Sequence, residues 1–304
     1  MIVQAPCRIS LFGGGSDLPI FYEKHKGLCI SMAINLYKKV ILKDVMAEVT
    51  AGIDNSFTKV FTDEFEKDAL QWRMIVEYSD IPTNSGLGGS ASMGVALVAA
   101  LSDLKDKKEI AEKAWDIEVN KVGLYGGKQD QYAASIGGFN AYEFQKDQPV
   151  YIFPIQEPTF WQKRILLFDT GLRRTNPKVQ EQLKELSPEQ EESLLKIQKI
   201  AMEAFHTVFA FKDTVRFKRL INEAWEEKKK SNSLVTNEKI DHIYDTAIKA
   251  GAQGGKLCGS GSGGFIWFFV ELEDQDKVIA ELEKIEGVKH WNYQIDWEGV
   301  KFAP

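Results

Sequence analysis

Between Pro82 and Ser92 the chain reads PTNSGLGGSAS and then runs straight into MGVALVAAL, a stretch of good helix formers. A glycine-rich turn feeding a helix is a ready anion site. The amides of the first helical turn have no partner inside the helix, and the helix dipole favours negative charge there. Gly86, Gly88 and Gly89 let a phosphate reach the backbone, which larger side chains would prevent. The residues expected to cradle it are Pro82, Ser85, Gly86, Leu87, Gly88, Gly89, Ser90, Ala91 and Ser92. A Walker A loop is excluded, because no Lys followed by Ser or Thr closes the segment. Gly86, Gly88 and Ala91 match G-x-G-x-x-A, but the nearest acids, Asp103 and Asp106, end the following helix instead of lying on a second strand. The remaining alternative is an ordinary loop that caps a helix through Ser85 or Ser90.

Two further glycine loops flank this one. Residues 5–19 read APCRISLFGGGSDLP and residues 254–264 read GGKLCGSGSGG. The last carries five glycines from Gly255 to Gly264, more than a strand-to-strand turn needs.

The elements that must position these loops follow from periodicity and punctuation. Ile2 to Phe12 reads as a strand, Leu28 to Val45 as one or two, and Phe57 to Phe61 and Met74 to Tyr78 as short ones. Asp17 to His25 suits a short helix with Pro19 in its first turn. Helices are expected at 90–104, 107–122 and 128–136, then a hairpin from 139–144 and 150–154. Pro154 and Pro158 mark a division into residues 1–158 and 159–304. The second part should open with a strand at 164–169 and continue with helices at 176–186, 188–210, 212–230 and 236–250. A strand at 265–271, a helix at 274–285 and a strand at 290–296 complete an α+β pattern in both halves.

The 304 residues are 44% hydrophobic and 27% charged, an ordinary globular composition with room for two domains. A net charge of −6 and the lack of any basic run with interleaved aromatics argue against a nucleic-acid partner. Three scattered cysteines imply a reducing compartment, and four histidines without i, i+4 pairing argue against zinc. Neither a leader pattern nor a membrane-length apolar run is present, so a cytoplasmic location is expected. The oligomeric state is not readable from the sequence.

Together the three loops, in this order, resemble the motifs of the GHMP kinases, the superfamily of galactokinase, homoserine kinase, mevalonate kinase and phosphomevalonate kinase. The finer resemblance is to D-glycero-D-manno-heptose 7-phosphate kinases. It is carried by RISLFGGGSDLPIFY, MAINLYKKV, GGKQDQYAASIGGFNAYEF and DTGLRRTNPKVQEQ. The resemblance implies a two-domain α+β fold, with an N-terminal domain like ribosomal protein S5 and a C-terminal ferredoxin-like domain. It also implies ATP and Mg²⁺ as cofactors, with Ser90 and Glu118 as metal ligands. Asp130 matches the catalytic aspartate, Lys128 or Arg8 would keep it ionised, and Arg8 would also stabilise charge developing on the transferred group. Gly14, Gly15, Ser16 and Asp17 would meet the sugar, Arg174 its phosphate, and Gly259, Ser260 and Gly261 would close over the site. Arg173 ranks below Arg174 because adjacent side chains diverge, and either arginine could instead pair with Glu181 or Glu185.

The expected reaction is phosphorylation of an anomeric hydroxyl, with a sugar phosphate and ATP as small-molecule partners and no membrane or nucleic acid. The rivals are another sugar-1-kinase, for galactose, fucose or a related sugar, a mevalonate-type kinase, which the sugar-branch stretch GGGSDLP disfavours, and a non-catalytic galactokinase-like sensor. The absence of GEHTDY weakens the galactose reading, and retention of Asp130, Glu118 and Ser90 weakens the sensor.

Overall fold

Strand β1 (Ile2–Phe12) pairs antiparallel with the long β2 (Gly27–Asp44) in a computed structural model that describes residues 1–44, 56–65, 73–173, 185–231 and 234–303. Between them lies the short helix α1 (Pro19–Tyr22). Register shifts fall at Pro6/Cys7 and Ser10/Phe12, and they bend β1 where it leaves the sheet for the first glycine loop. One end of β2 pairs with β3 (Arg73–Ser79) and the other with β4 (Phe139–Phe144), which hairpins to β5 (Tyr151–Pro154). Helix α2 (Ser56–Glu64) occupies the segment expected to be a strand at Phe57 to Phe61. That stretch fits period 3.6 as well as period 2. Phe57, Val60 and Phe61 share one helical face, and the rings of Phe57 and Phe61 lie 4.8 Å apart against the next helix.

That next helix is α3 (Gly89–Leu101), buried on every side from Ala91 to Ala100. It packs on Val3, Ala5, Val40 and Leu42 of the sheet and on Ile110, Ala114 and Ile117 beyond it. An all-apolar helix belongs in the interior, and burying it fixes where its N-terminus opens. Helix α4 (Lys107–Asp116) is capped by Asp106, whose carboxylate accepts from the amides of Lys108 and Glu109, and it ends in a π turn, Ile117–Lys121. Helix α5 (Gln129–Ile136) follows.

After α6 (Pro158–Gln162) comes a second sheet of β6 (Ile165–Asp169), β7 (Gly254–Leu257), β8 (Phe265–Phe269) and β9 (Lys289–Trp291), in the order β7-β8-β6-β9. Numbered within this half the order is 2-3-1-4, the antiparallel ferredoxin-like arrangement. One face carries Leu166, Phe168, Ile266 and Phe268. It packs on Trp225 of α8 (Thr214–Ser231), Ile243 of α9 (Glu238–Ala250) and Val278 of α10 (Gln275–Leu282). The other face, with Ile165, Leu167, Trp267 and Phe269, shares a core with Cys7, Ile9 and Leu11 of β1. Helix α7 (Pro188–Glu203), opened by a Ser187/Gln190 capping box with Pro188 in its first turn, runs into a second π turn at Ala204–Phe209. The helix expected over 176–186 falls almost entirely outside the described residues.

The two halves are thus α+β, as expected. The last strand, β10 (Lys301–Ala303), lies beyond the expected division at 158/159 and returns to pair with Ile2–Gln4 of β1. Among the described residues no helix is long and apolar enough to cross a membrane.

Candidate active site

The three glycine loops meet around one cleft of about 550 Å³. In the second loop, Gly88 caps α3 with φ +75°, a left-handed conformation that suits glycine, and no side chain caps the helix. Capping through Ser85 or Ser90 is therefore ruled out, and the first-turn amides remain available to an anion. The Leu87 carbonyl accepts the Arg8 amide at 3.0 Å and the Ser85 carbonyl accepts that of Phe265 at 2.8 Å. Loops one and three thereby clamp loop two. Gly86 and Gly259 touch backbone to backbone, and Lys228 of α8 donates to the carbonyls of Leu257 and Gly259, both at 2.7 Å. The third loop packs against the second.

Asp130, in the first turn of α5, is gripped by Arg8 of β1 through Nε to Oδ1 at 2.8 Å and Nη2 to Oδ2 at 2.6 Å. Arg8 also donates Nη1 to the Gly86 carbonyl at 2.7 Å. Its side chain is 5% exposed, whereas that of Asp130 is 28% exposed and opens to the cleft. Burial works against the Arg8 charge, but the Asp130 carboxylate outweighs it, so the guanidinium pKa rises. Ser10 donates to the Gln129 Oε1 at 3.1 Å, and Gln129 Nε2 donates to Asp130 Oδ1 at 3.2 Å. Lys128 corrects an expectation: its ammonium bonds Glu112 at 2.6 Å and lies over the Trp115 ring, away from Asp130.

Asp17 lines the same cleft. Its Oδ1 accepts the Gly15 amide at 3.0 Å and its Oδ2 that of Gln129 at 3.1 Å. Burial foremost, and then the nearby Asp130, raises its pKa. It does not cap α1, whose N-cap is Leu18. Gly127 makes room for it: a Cβ there would stand 1.9 Å from the carboxylate. Gly14 and Gly15 line the cleft. Ser16 does not, because its hydroxyl and the backbone of Leu28 bond each other at 3.1 Å in the core.

Glu118 lies in the π turn that ends α4, a distortion that turns its carboxyl inward. It is 6% exposed and accepts from Gln131 Nε2 at 2.7 Å. Burial pushes its pKa up to about 7, against hydrogen bonds from Ser90 and Gln131. The Gln131 Oε1 is buried without a hydrogen-bond partner. A carboxyl that resists ionising, beside a hydroxyl and an unsatisfied oxygen, is a hard-oxygen donor set lacking its counter-charge. The set fits Mg²⁺, which takes a few protein oxygens and completes its shell from phosphates and water.

Other expected residues are placed differently. Leu87 is buried in the core, and the Ser92 hydroxyl donates to Pro6 O at 2.8 Å, so both shape the loop without lining the cleft. Gly259 and Ser260 line it, whereas Gly261 packs on Val235. Arg174 lies outside the described residues, and Arg173 makes a two-pronged pair with Asp169, both bonds at 2.7 Å. Lys38, Lys256, Gln129 and Tyr125 also line the cleft, and the sequence reading missed them. Lys256 is the third residue of the 254–264 segment, on β7; burial lowers its pKa to about 8.

An uncapped helix start, a salt-bridged carboxylate and a second acid face one space, and the two-domain fold around them is that of a phosphotransferase. The chain belongs to the GHMP kinases: the family model for the GHMP kinases N terminal domain matches residues 45–138 and that for the GHMP kinases C terminal matches 201–288. It is 30% identical to the D-glycero-alpha-D-manno-heptose 7-phosphate kinase of Campylobacter jejuni, over 98% of this chain and 97% of the relative. A crystal structure of a D-glycero-D-manno-heptose 1-phosphate kinase from Bacteriodes thetaiotaomicron superposes with TM-score 0.77 at 27% identity, over 100% of this chain and 99% of that one. The mevalonate kinase of Pyrococcus furiosus is 26% identical over 99% of this chain and 98% of the relative.

Proposed function

We propose that this enzyme transfers the γ-phosphoryl group of ATP to the anomeric hydroxyl of D-glycero-D-manno-heptose 7-phosphate, giving the 1,7-bisphosphate. The Arg8–Asp130 pair carries the reading: it stands between the uncapped start of α3 and the acid Asp17. One side suits a triphosphate, and the other suits the hydroxyls of a sugar. The heptose-phosphate acceptor is supported by the GGGSDLP stretch and by similarity to the Campylobacter relative.

Phosphoryl transfer rests on positioning and charge neutralisation. The α3 amides hold the phosphates, and Asp17 accepts hydrogen bonds from sugar hydroxyls. Asp130 takes the proton of the attacking hydroxyl on a lone pair that Arg8 leaves free. The sugar oxygen then bonds to the γ-phosphorus as the bond to the β–γ bridging oxygen breaks, and ADP leaves with that electron pair. Arg8 holds the carboxylate in place beside the Gly86 carbonyl of the second loop. Ser90 and Glu118 would hold Mg²⁺, which neutralises charge on the phosphates when bound.

An assay of ADP release over a panel of sugars, sugar phosphates and mevalonate tests the assignment. The heptose 7-phosphate should give the highest kcat/KM. Preferred turnover of a free sugar would make this another sugar-1-kinase, and preferred turnover of mevalonate would move it to that branch.

A further inference from the structure

Strand β2 carries Val40 and Leu42 on the face that packs against α3. Two residues before Val40, on the same face, stands Lys38. The sequence continues the strand, but here the sheet has reached the N-terminal end of α3 and the apolar helix no longer covers it. A Cβ on Gly89, the first helical residue, would stand 3.0 Å from the Lys38 ε-carbon and 3.7 Å from its ammonium nitrogen. The residue is 9% exposed and lines the cleft. Among the described residues no hydrogen bond or ion pair holds its ammonium. Glu77, its diagonal neighbour on β3, accepts from the Thr58 hydroxyl and acts on Lys38 through its charge alone, short of an ion pair.

A buried ammonium without a partner is costly unless a ligand supplies the counter-charge. At this place the ligand must be anionic and must lie against the start of α3. Asp130 and Arg8 stand on the opposite side, next to Gly88. The loop therefore has a cation on each flank: Arg8 is salt-bridged to Asp130, whereas Lys38 makes no salt bridge among the described residues and meets the Glu77 charge only at longer range.

We infer that Lys38 is a binding residue for the polyphosphate of the nucleotide, donating to phosphate oxygens held at the N-terminus of α3 from the side away from Asp130. This rests on the kinase reading above and adds to it a residue outside all three glycine loops. The compact ammonium serves as a point charge, the use to which lysine is suited at phosphates.

The test measures binding of MgADP and of adenosine by calorimetry and competition for the wild type and Lys38→Met. Losing a hydrogen bond to a charged group should weaken MgADP by about tenfold to a hundredfold. Adenosine binding should be unchanged. The melting temperature of the free variant should hold or rise, because a buried unpaired charge has gone. Lys38→Arg, which keeps the charge, should retain most of the MgADP affinity. Unchanged MgADP binding in Lys38→Met, or an equal loss on adenosine, overturns the inference. If the wild type binds and turns over nucleotide in those cases, the kinase reading stands without it. A wild type that binds no MgADP overturns both.

Discussion

Arg8 and Asp130, 122 residues apart in sequence, are joined by two parallel hydrogen bonds of 2.8 and 2.6 Å, and the third arm of the guanidinium holds the Gly86 carbonyl at 2.7 Å. One buried side chain thus ties the carboxylate to the phosphate loop. Whatever moves one moves the other.

Replacing the carboxylate by an amide of the same shape should separate proton acceptance from binding. Asp130→Asn should lower kcat by roughly 10²–10⁴ while leaving the Kd for MgADP nearly unchanged. Single-turnover kinetics beside calorimetry would show it. A near-normal kcat would remove Asp130 from its role as base.

Glu118 makes the free enzyme sensitive to pH. Its carboxyl pKa rises from 4.5 to about 7 on folding. The folded state therefore holds the proton through that window. The stability this group contributes is full below pH 4.5 and is lost as pH rises through about 7. Glu118→Gln should flatten this part of the stability profile and raise the melting temperature of the metal-free protein at pH 8. At pH 6, binding of Mg-nucleotide should release about one proton in the wild type, because the metal demands the carboxylate. Calorimetry in two buffers of different ionisation enthalpy reads this directly. Proton release that survives in the variant would place the metal elsewhere.

At Gly127 the constraint is room. A methyl group there would meet the Asp17 carboxylate at 1.9 Å. Gly127→Ala should push Asp17 off the Gln129 amide, raise KM for the acceptor more than for ATP, and destabilise by about 1–3 kcal/mol. Denaturant unfolding and initial-rate kinetics together test this, and wild-type values in both would refute it.

Arg174 follows the TGLR stretch that begins at Thr170. As a ligand of the sugar phosphate it should contribute one charged hydrogen-bonding group. Arg174→Ala should raise KM for heptose 7-phosphate by about tenfold to 150-fold, leave KM for ATP unchanged, and shrink the preference over the free sugar. Equal losses on phosphorylated and free sugar would make it a structural arginine.

The sequence by itself determined the chemistry of the loops. Backbone amides reach a phosphate only where side chains are absent, so glycines at 86, 88 and 89 ahead of an apolar helix point to a cradle, and the structure leaves that helix start without a side-chain cap. Local rules also held at Ser187–Pro188, where a capping box opens a helix, and at the apolar runs Ile165–Asp169 and Phe265–Phe269, which form strands buried on both faces. Local pattern became ambiguous at Phe57 to Phe61, where two periodicities fit one short run and packing against Gly94 of α3 favoured the helix. It was silent at Gly254–Leu257, a strand whose pairing with β8 leaves little trace in its side chains. Direction was hidden as well. Lys128 stands two residues before Asp130 at the start of a helix, and side chains at that spacing point apart, so proximity in sequence became separation in space. Ser16 and Asp17 part in the same way, one into the core and the other into the cleft. Lys38 shows most plainly what only the tertiary structure decides. Its strand position sets which face it occupies, but whether that face meets solvent, a helix or the open end of a phosphate site depends on where α3 stops, and burial of α3 against the sheet settles that.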